Sequence, residues 1–197
     1  MPLRAENSPA VFLDRDGVIN EDVGHLGEVE HLRLLPRVPA SVKRLNEHGI
    51  PVVVVSNQSS IGRAIFSEGQ IQEINRSIAD RLRLEGAEVK RFYYCPHHPT
   101  EGKGSYRVQC ECRKPNPGML QLAAKELGFD LAKSVMVGDN LADIEAGRRA
   151  GCGTILVAKN RDDGFWTALK ESRHQPVRVV TELAEAVDWI LSDQKTS

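Results

Sequence analysis

Two carboxylates separated by one residue, Asp14 and Asp16, stand where an apolar run ends and a glycine follows. The run, residues 10–13, predicts a short buried strand, and Gly17 can adopt backbone angles that let the chain turn at the end of it. Such a turn gathers both carboxylates, and a divalent cation relieves their mutual repulsion. Mg²⁺ suits them because it prefers oxygen ligands and uses one or two carboxylates together with substrate phosphate. A carboxylate can also attack phosphorus and form an aspartyl-phosphate.

Three other interpretations of this segment compete with a catalytic one. Asp-Gly is common in hairpin turns, but the residues after Gly17 do not alternate as a returning strand would. A calcium loop of the EF-hand kind needs its glycine at the sixth position, and Gly17 falls at the fourth, so that interpretation fails. The third interpretation, a pair of carboxylates that merely solvates the end of a strand, stays open on these residues alone.

Strands and helices alternate along the rest of the chain. After the first strand, further strands are predicted at 51–57, 89–94, 134–137, 154–157 and 178–180, with helical patterns between most of them. This alternation predicts an α/β fold with a doubly wound, mostly parallel sheet. Ligands of such sheets bind beyond the carboxyl ends of the strands, where the strand order reverses. Because Asp14, Ser56 and Asp139 all lie at predicted strand ends, we expect one functional site rather than three solvated ends.

Length and composition narrow the class of protein. A chain of 197 residues with 41% hydrophobic and 27% charged residues predicts a single globular domain, residues 1–197. The net charge of −1 gives no sign of a nucleic-acid or anionic-membrane partner, and no apolar run is long enough to span a membrane. The first residues lack the apolar core of a signal peptide. We therefore expect a cytoplasmic protein, a monomer acting on a small molecule, whose cysteines are not in disulfides.

Three of the four cysteines and a histidine bracket one long irregular segment, residues 95–115. Cys95 and His97 lie at its start, and Cys110 and Cys112 lie near its end, which suits a closed tetrahedral Zn²⁺ site with a structural role. The segment is rich in proline, glycine and polar residues, so a metal would replace a missing apolar core. Reduced cysteines without a metal remain the alternative. The fourth cysteine, Cys152, is predicted to be a small buried residue.

The segment DRDGVIN, residues 14–20, resembles the nucleophile motif of the haloacid dehalogenase-like phosphatases. Within them it is similar to the small sugar-bisphosphate branch, the heptose 1,7-bisphosphate 7-phosphatases and the related histidinol-phosphate phosphatases. The likeness extends from about Ala10 to Val157 and includes CRKPNPG and GDNLAD. It implies a Rossmann-like domain with no large cap domain and with a zinc-stabilised loop inserted at 95–115. It also favours His97 over His98 as the zinc ligand.

The resemblance implies a role for each motif residue. Asp14 matches the nucleophile, and Asp16 matches the general acid that later serves as general base. Ser56 and Lys114 match the residues that hold the transferring phosphoryl group. A Mg²⁺ site is implied at Asp14, the backbone carbonyl of Asp16 and Asp139, with Asp143 supporting these ligands without touching the ion. Taken singly, Ser56 could be a turn residue, Lys114 a surface lysine and Asp143 an exposed helical residue.

Substrate contacts are implied by the resemblance at Asp22, Val23, Gly24, His25, Asn57, Gln58, Ser59, Arg113 and Asn140. Arg113 suits bidentate recognition of a second phosphate. The long stretch between the zinc ligand pairs looks more like the heptose branch than the histidinol-phosphate branch. The chain departs from the usual pattern at His25, where an aromatic residue is common, and at Ser60 and Ala64, which replace glycines.

The expected activity is Mg²⁺-dependent removal of the 7-phosphate of D-glycero-D-manno-heptose 1,7-bisphosphate, in nucleotide-heptose synthesis for surface polysaccharide. Histidinol-phosphate phosphatase is the second hypothesis. A non-catalytic, zinc-stabilised binding module is a hypothesis from a different class. A binding module has no need of the complete set of motif residues, Asp14, Asp16, Ser56, Lys114 and Asp139.

Overall fold

A computed structural model describes residues 7–159 and 161–193 of the chain. Six strands form one sheet in the order β3-β2-β1-β4-β5-β6, and all neighbouring pairs are parallel. The strands are β1 (Val11–Leu13), β2 (Val52–Asn57), β3 (Arg91–Cys95), β4 (Val135–Gly138), β5 (Gly153–Val157) and β6 (Arg178–Val180). The helices are α1 (Val38–Glu47), α2 (Ser59–Gly62), α3 (Glu68–Leu84), α4 (Gly118–Leu127), α5 (Leu141–Ala150), α6 (Asp163–Glu171) and α7 (Leu183–Asp193). The predicted fold class is confirmed.

The sheet is buried on both faces, and the valine run of β2 shows how. Val52 and Val54 belong to one apolar cluster, together with buried residues of α1, α3 and α7. Val53 and Val55 belong to a second cluster, together with buried residues of α4 and α5. Successive side chains of a strand point to opposite faces, so an unbroken apolar run is what a strand covered by helices on both sides requires.

Local signals place most of the predicted elements correctly. Ser67 and Gln70, three residues apart, form a capping box at the start of α3. Helices α2 and α6 were not predicted. Helix α6 is short and buries Leu169 alone among its residues, in a small cluster with Ile144 and Leu156. An apolar face that narrow gives little helical periodicity in the sequence.

The strand order reverses between β1 and β4, which lie side by side at the centre of the sheet. The carboxyl ends of β1, β2 and β4 therefore meet at the position where doubly wound sheets bind ligands. No helix in the described ranges is both long enough and apolar enough to cross a membrane.

Candidate active site

Asp14 is fixed at the end of β1 by the neighbouring strand. Its backbone N–H donates to the carbonyl of Val137 in β4 at 2.9 Å. Gly17 then turns the chain with φ of +80°, and a Cβ atom there would lie 2.4 Å from the Asp139 Oδ2 atom. Both the backbone angle and this close approach require glycine. The turn predicted from the sequence therefore brings the Asp14 loop against the end of β4.

Three carboxylates form a tight cluster at this point. Oxygen atoms of Asp14, Asp139 and Asp143 all lie within 4.8 Å of one another. Burial raises the pKa of Asp14 to about 7 and that of Asp139 to about 6, and it also raises the pKa of Asp143. Crowded, desolvated carboxylates are a donor set that fits an oxygen-preferring cation such as Mg²⁺. Asp143 is only 1% exposed, which excludes its interpretation as a surface residue.

Lys114 reaches into the same cluster from the irregular segment. Its Nζ atom lies 2.8 Å from Asp14 Oδ1 and 2.5 Å from Asp143 Oδ1, and it donates to the carbonyl of Val55 at 2.8 Å. Burial opposes the charge on the ammonium, but the two carboxylates outweigh burial and raise the pKa of Lys114. At 3% exposure, Lys114 is not an ordinary surface lysine.

Asn57, at the end of β2, holds Lys114 by its backbone. The Asn57 Oδ1 atom accepts from the Lys114 N–H at 3.0 Å, and its Nδ2 group donates to the Lys114 carbonyl at 3.0 Å. This pair of hydrogen bonds joins the irregular segment to the sheet. Asn57 therefore positions the buried ammonium group of Lys114, and it also lines the cleft described below.

Gln58 links two of the predicted catalytic side chains. Its Nε2 group donates to Ser56 Oγ at 2.7 Å and to Asp16 Oδ2 at 2.9 Å. The Asn20 Nδ2 group donates to the other carboxylate oxygen of Asp16 at 2.8 Å. Gln58 is only 5% exposed, so its side chain faces the interior of the site and not open solvent.

A cleft of about 360 Å³ opens over these groups. Its described lining consists of Asp14, Asp16, Asp22, Gly24, Ser56, Asn57, Arg113, Lys114, Asp139, Asn140, Ala142, Asp143 and Arg161. Of the predicted substrate contacts, Asp22, Gly24, Asn57, Arg113 and Asn140 belong to this lining. Val23, His25, Gln58 and Ser59 do not. Gln58 is turned inward, Ser59 opens α2, and Val23 and His25 are exposed on the loop beside the cleft.

Arg161 was not among the residues predicted for the site. Its Nη2 atom lies 2.6 Å from Asp139 Oδ2 and also donates to the Asp139 backbone carbonyl at 2.5 Å. Arg161 follows β5, and the parallel sheet carries the end of that strand to the same edge as Asp139. A search of every predicted strand end for charged residues would have included it.

At Ala64, which replaces a family glycine, φ is +57°, a conformation that favours glycine.

Three thiols and one imidazole converge in the segment 95–115. The Sγ atoms of Cys95, Cys110 and Cys112 are 3.1–3.5 Å apart, and His97 Nδ1 is 3.4 Å from Cys112 and 3.6 Å from Cys95. The edges of a tetrahedron built on Zn–S bonds of about 2.3 Å measure about 3.8 Å, so this donor set fits Zn²⁺ after a small expansion. His98 faces elsewhere, because its Nδ1 atom accepts from the Glu101 N–H at 3.0 Å.

The thiol cluster already favours one thiolate. Contact with Cys95 is the largest cause that lowers the pKa of Cys112, to about 5, while contact with Cys112 raises that of Cys95. Thiolates are the form in which cysteine binds metals. Cys152 lies outside this cluster, buried between α5 and β5, as predicted.

Comparison with known proteins agrees with this geometry. A family model described as HAD-hydrolase-like matches residues 111–186. The D-glycero-beta-D-manno-heptose-1,7-bisphosphate 7-phosphatase of Rhodopseudomonas palustris is 40% identical over 77% of this chain and 84% of its own length. The enzyme of that name from Escherichia coli K12 is 36% identical over 95% of this chain and 91% of its own length.

A solved structure extends the likeness to three dimensions. The D,D-heptose 1,7-bisphosphate phosphatase of B. bronchiseptica, in complex with magnesium and phosphate, matches with a TM-score of 0.82 and 30% identity. The match covers 94% of this chain and 99% of that one. The chain belongs to the family of the D-glycero-beta-D-manno-heptose-1,7-bisphosphate 7-phosphatases, a branch of the haloacid dehalogenase-like phosphatases.

Proposed function

We propose that this chain is a Mg²⁺-dependent phosphatase that removes the 7-phosphate of D-glycero-β-D-manno-heptose 1,7-bisphosphate through an aspartyl-phosphate intermediate. The observation that carries the proposal is the contact of the buried Lys114 ammonium with Asp14 and Asp143 at the reversal point of the sheet. The family relatives are named for this substrate, and for its β anomer. We further propose that residues 1–197 form one domain and act as a cytoplasmic monomer that supplies heptose for surface polysaccharide.

The proposed reaction divides the work between two aspartates. The Asp14 carboxylate attacks phosphorus while Asp16 gives its proton to the departing sugar oxygen. Asp16 then takes a proton from the water that attacks the aspartyl-phosphate, which releases phosphate and regenerates Asp14. Ser56 and Lys114 hold the oxygens of the phosphoryl group, over which the transition state spreads its charge.

The two metals have separate proposed sites. Asp14, Asp139 and the backbone carbonyl of Asp16 would hold Mg²⁺, with Asp143 and Arg161 orienting the carboxylates around it. When bound, Mg²⁺ neutralises charge on the phosphoryl group and on the crowded acids. Cys95, His97, Cys110 and Cys112 would hold Zn²⁺ in a structural role.

A phosphate-release assay on purified protein tests the proposal. The panel comprises both anomers of the heptose bisphosphate, fructose bisphosphate and histidinol phosphate. We expect the β-anomer heptose bisphosphate to have the highest kcat/KM. A higher kcat/KM for histidinol phosphate would instead support the second hypothesis, a histidinol-phosphate phosphatase. Absence of hydrolysis across the panel, with folded protein and Mg²⁺, would contradict the enzymatic proposal.

Metal removal separates the two ions in the same assay. Mild EDTA treatment is expected to stop turnover, and added Mg²⁺ to restore it, because carboxylates release Mg²⁺ readily. Zinc content should stay constant throughout, since thiolate sites bind Zn²⁺ tightly. Turnover that persists after Mg²⁺ is shown to be absent contradicts the magnesium assignment.

Arg113 is the proposed contact for the phosphate that remains on the sugar. It lines the cleft, and its Nη1 group donates to the His97 carbonyl at 3.0 Å, which leaves other N–H groups of the guanidinium for a ligand. Arg113→Ala should remove a charge-assisted contact of about 1.5–3 kcal/mol, or about 10–150-fold in kcat/KM for the bisphosphate. Hydrolysis of heptose 7-monophosphate, which lacks the second phosphate, should hardly change.

The two esters distinguish recognition from loop support. If Arg113 serves only to brace the zinc loop through His97, both substrates lose activity in parallel, and the second-phosphate assignment is wrong. Arg107→Ala is the matched control, because it removes the same charge from an exposed position in the same segment. Arg107→Ala should leave kcat/KM unchanged for both substrates.

A further inference from the structure

Arg15 is a charged side chain sealed inside the protein. It stands between Asp14 and Asp16 in the sequence, yet it is only 1% exposed and is among the largest fully buried side chains. Arginine is almost never fully buried unless its charge is paired. Neither the nucleophile motif nor the proposed reaction gives Arg15 a role. Its role must therefore be inferred from the side chains that it contacts.

The partner of Arg15 is the carboxylate of Asp16. The Arg15 Nη2 atom lies 3.1 Å from Asp16 Oδ1 and 3.0 Å from Oδ2, and Nε lies 3.2 Å from Oδ1. The same Nη2 group donates to Gln58 Oε1 at 3.1 Å, and Nη1 donates to Asn75 Oδ1 at 3.4 Å. Because Asn75 is on α3, the guanidinium spans from a core helix to the edge of the cleft.

Asp16 is thereby held from several sides. Asn20 and Gln58 each donate to one of its oxygens, and Arg15 contacts both. The Asp16 side chain remains 25% exposed, and it lines the cleft. Because Arg15 contacts both carboxylate oxygens of Asp16, one oxygen can turn toward the substrate while Arg15 still holds the other.

We propose that Arg15 is a positioning residue that fixes the Asp16 carboxylate for proton transfer to the departing sugar oxygen. The proposal rests on the role of Asp16 in the proposed function. Proton transfer requires the acid within about 2.6–3.2 Å of the oxygen it serves. A displacement of about 1 Å can cost about 10²-fold in rate. The proposed effect of Arg15 on the rate runs through Asp16, and this distinguishes it from an arginine that merely fills the interior.

A double-mutant cycle in the full chain tests this coupling. Arg15→Met keeps the length of the side chain and removes its donors, and we expect kcat on the heptose bisphosphate to fall about 10²-fold with little change in KM. Asp16→Asn should lower kcat about 10²–10⁴-fold. The double variant should be no slower than Asp16→Asn, because Arg15 then has nothing to position. Losses that multiply would overturn the proposal.

The leaving group supplies a second readout. In a single turnover, p-nitrophenyl phosphate releases a leaving group that needs no proton, so Arg15→Met should release nitrophenolate at nearly the wild-type rate. The sugar ester should still be cleaved about 10²-fold more slowly. Equal slowing on both esters indicates general damage to the site and contradicts positioning. If Arg15→Met shows no cooperative thermal unfolding, Arg15→Lys replaces it, since lysine keeps the charge without the two-pronged fork.

Further variants distinguish a failure of the Arg15 assignment from a failure of the proposed function. Arg81→Met removes an arginine of α3 that donates to the carbonyl of Leu32 away from the cleft, and it should leave kcat unchanged. Wild-type activity in Asp16→Asn would contradict the role of Asp16 in the proposed function. A slow Asp16→Asn combined with multiplicative losses in the double variant would contradict the role of Arg15 alone. Full activity of both Arg15 variants would also overturn it.

Discussion

Replacement of Asp14 by asparagine is expected to abolish phosphate release from every ester in the panel. The amide has nearly the same shape as the carboxylate but cannot form an aspartyl-phosphate. Loss of the nucleophile in a hydrolase can cost on the order of 10⁶-fold in kcat. Because Lys114 keeps its contact with Asp143, the buried ammonium stays paired in the variant. The measurement is phosphate release at saturating Mg²⁺, and activity near wild type would contradict the nucleophile assignment.

The same substitution should not destabilise the metal-free fold, and pH provides the check. Burial raises the pKa of Asp14 from 3.8 to about 7, so the folded chain binds a proton that the unfolded chain releases. Stability from this group is therefore present below about pH 4 and is lost as the pH rises through 7. Asp14→Asn removes this loss, and thermal unfolding between pH 4 and pH 7 should show a shallower fall than in the wild type. Asp80→Asn, at an exposed position of α3, is the control.

Patterns among residues close together in the sequence predicted the strands and the fold class of this protein. The valines of β2 alternate between two apolar clusters because a strand does so by geometry, and Ser67 caps α3 with atoms from within one turn. Strand ends were then enough to expect Asp14, Ser56 and Asp139 together, because a parallel sheet aligns its carboxyl ends. These inferences need no knowledge of which side chains meet across the interior.

Side-chain direction is the information that the sequence lacked. Whether Gln58 contacts substrate or turns inward depends on the positions of Ser56 and Asp16 around it. Arg15 reads as a surface residue between two acids, and only its contact with Asn75 on α3 places it inside. Arg161 meets Asp139 because β5 lies beside β4, and the strand order was not predicted. In all three cases at least one deciding contact joins residues that are far apart in the sequence.

Cys110→Ser is expected to lower the zinc content from about one ion per chain and to disorder the segment 96–115. Apart from a three-residue 3-10 turn at Gly104–Tyr106, the described structure has no regular element in that segment to hold it. Structural zinc contributes about 10–16 kcal/mol of apparent binding free energy in small zinc domains, so loss of one ligand should lower the unfolding temperature markedly.

The damage should extend to catalysis through Lys114. Lys114 follows Cys112 by two residues and lies 2.8 Å from Asp14, so the zinc loop and the acidic cluster are joined by a very short stretch of backbone. We therefore expect kcat/KM to fall together with zinc content, and the segment around Arg113 to become sensitive to limited proteolysis. Asn57 opposes this loss by holding the Lys114 backbone from β2, so activity should be reduced but not abolished.

A matched thiol outside the cluster separates loss of zinc from loss of a cysteine. Cys152→Ala removes a buried thiol between α5 and β5 and should leave both zinc content and proteolytic pattern unchanged. Metal analysis by mass spectrometry, thermal unfolding and limited proteolysis are compared for the three proteins. Folded wild-type protein that contains no zinc after purification without chelators contradicts the site. If Cys110→Ser instead retains both the zinc and the unfolding temperature of the wild type, Cys110 is not a ligand.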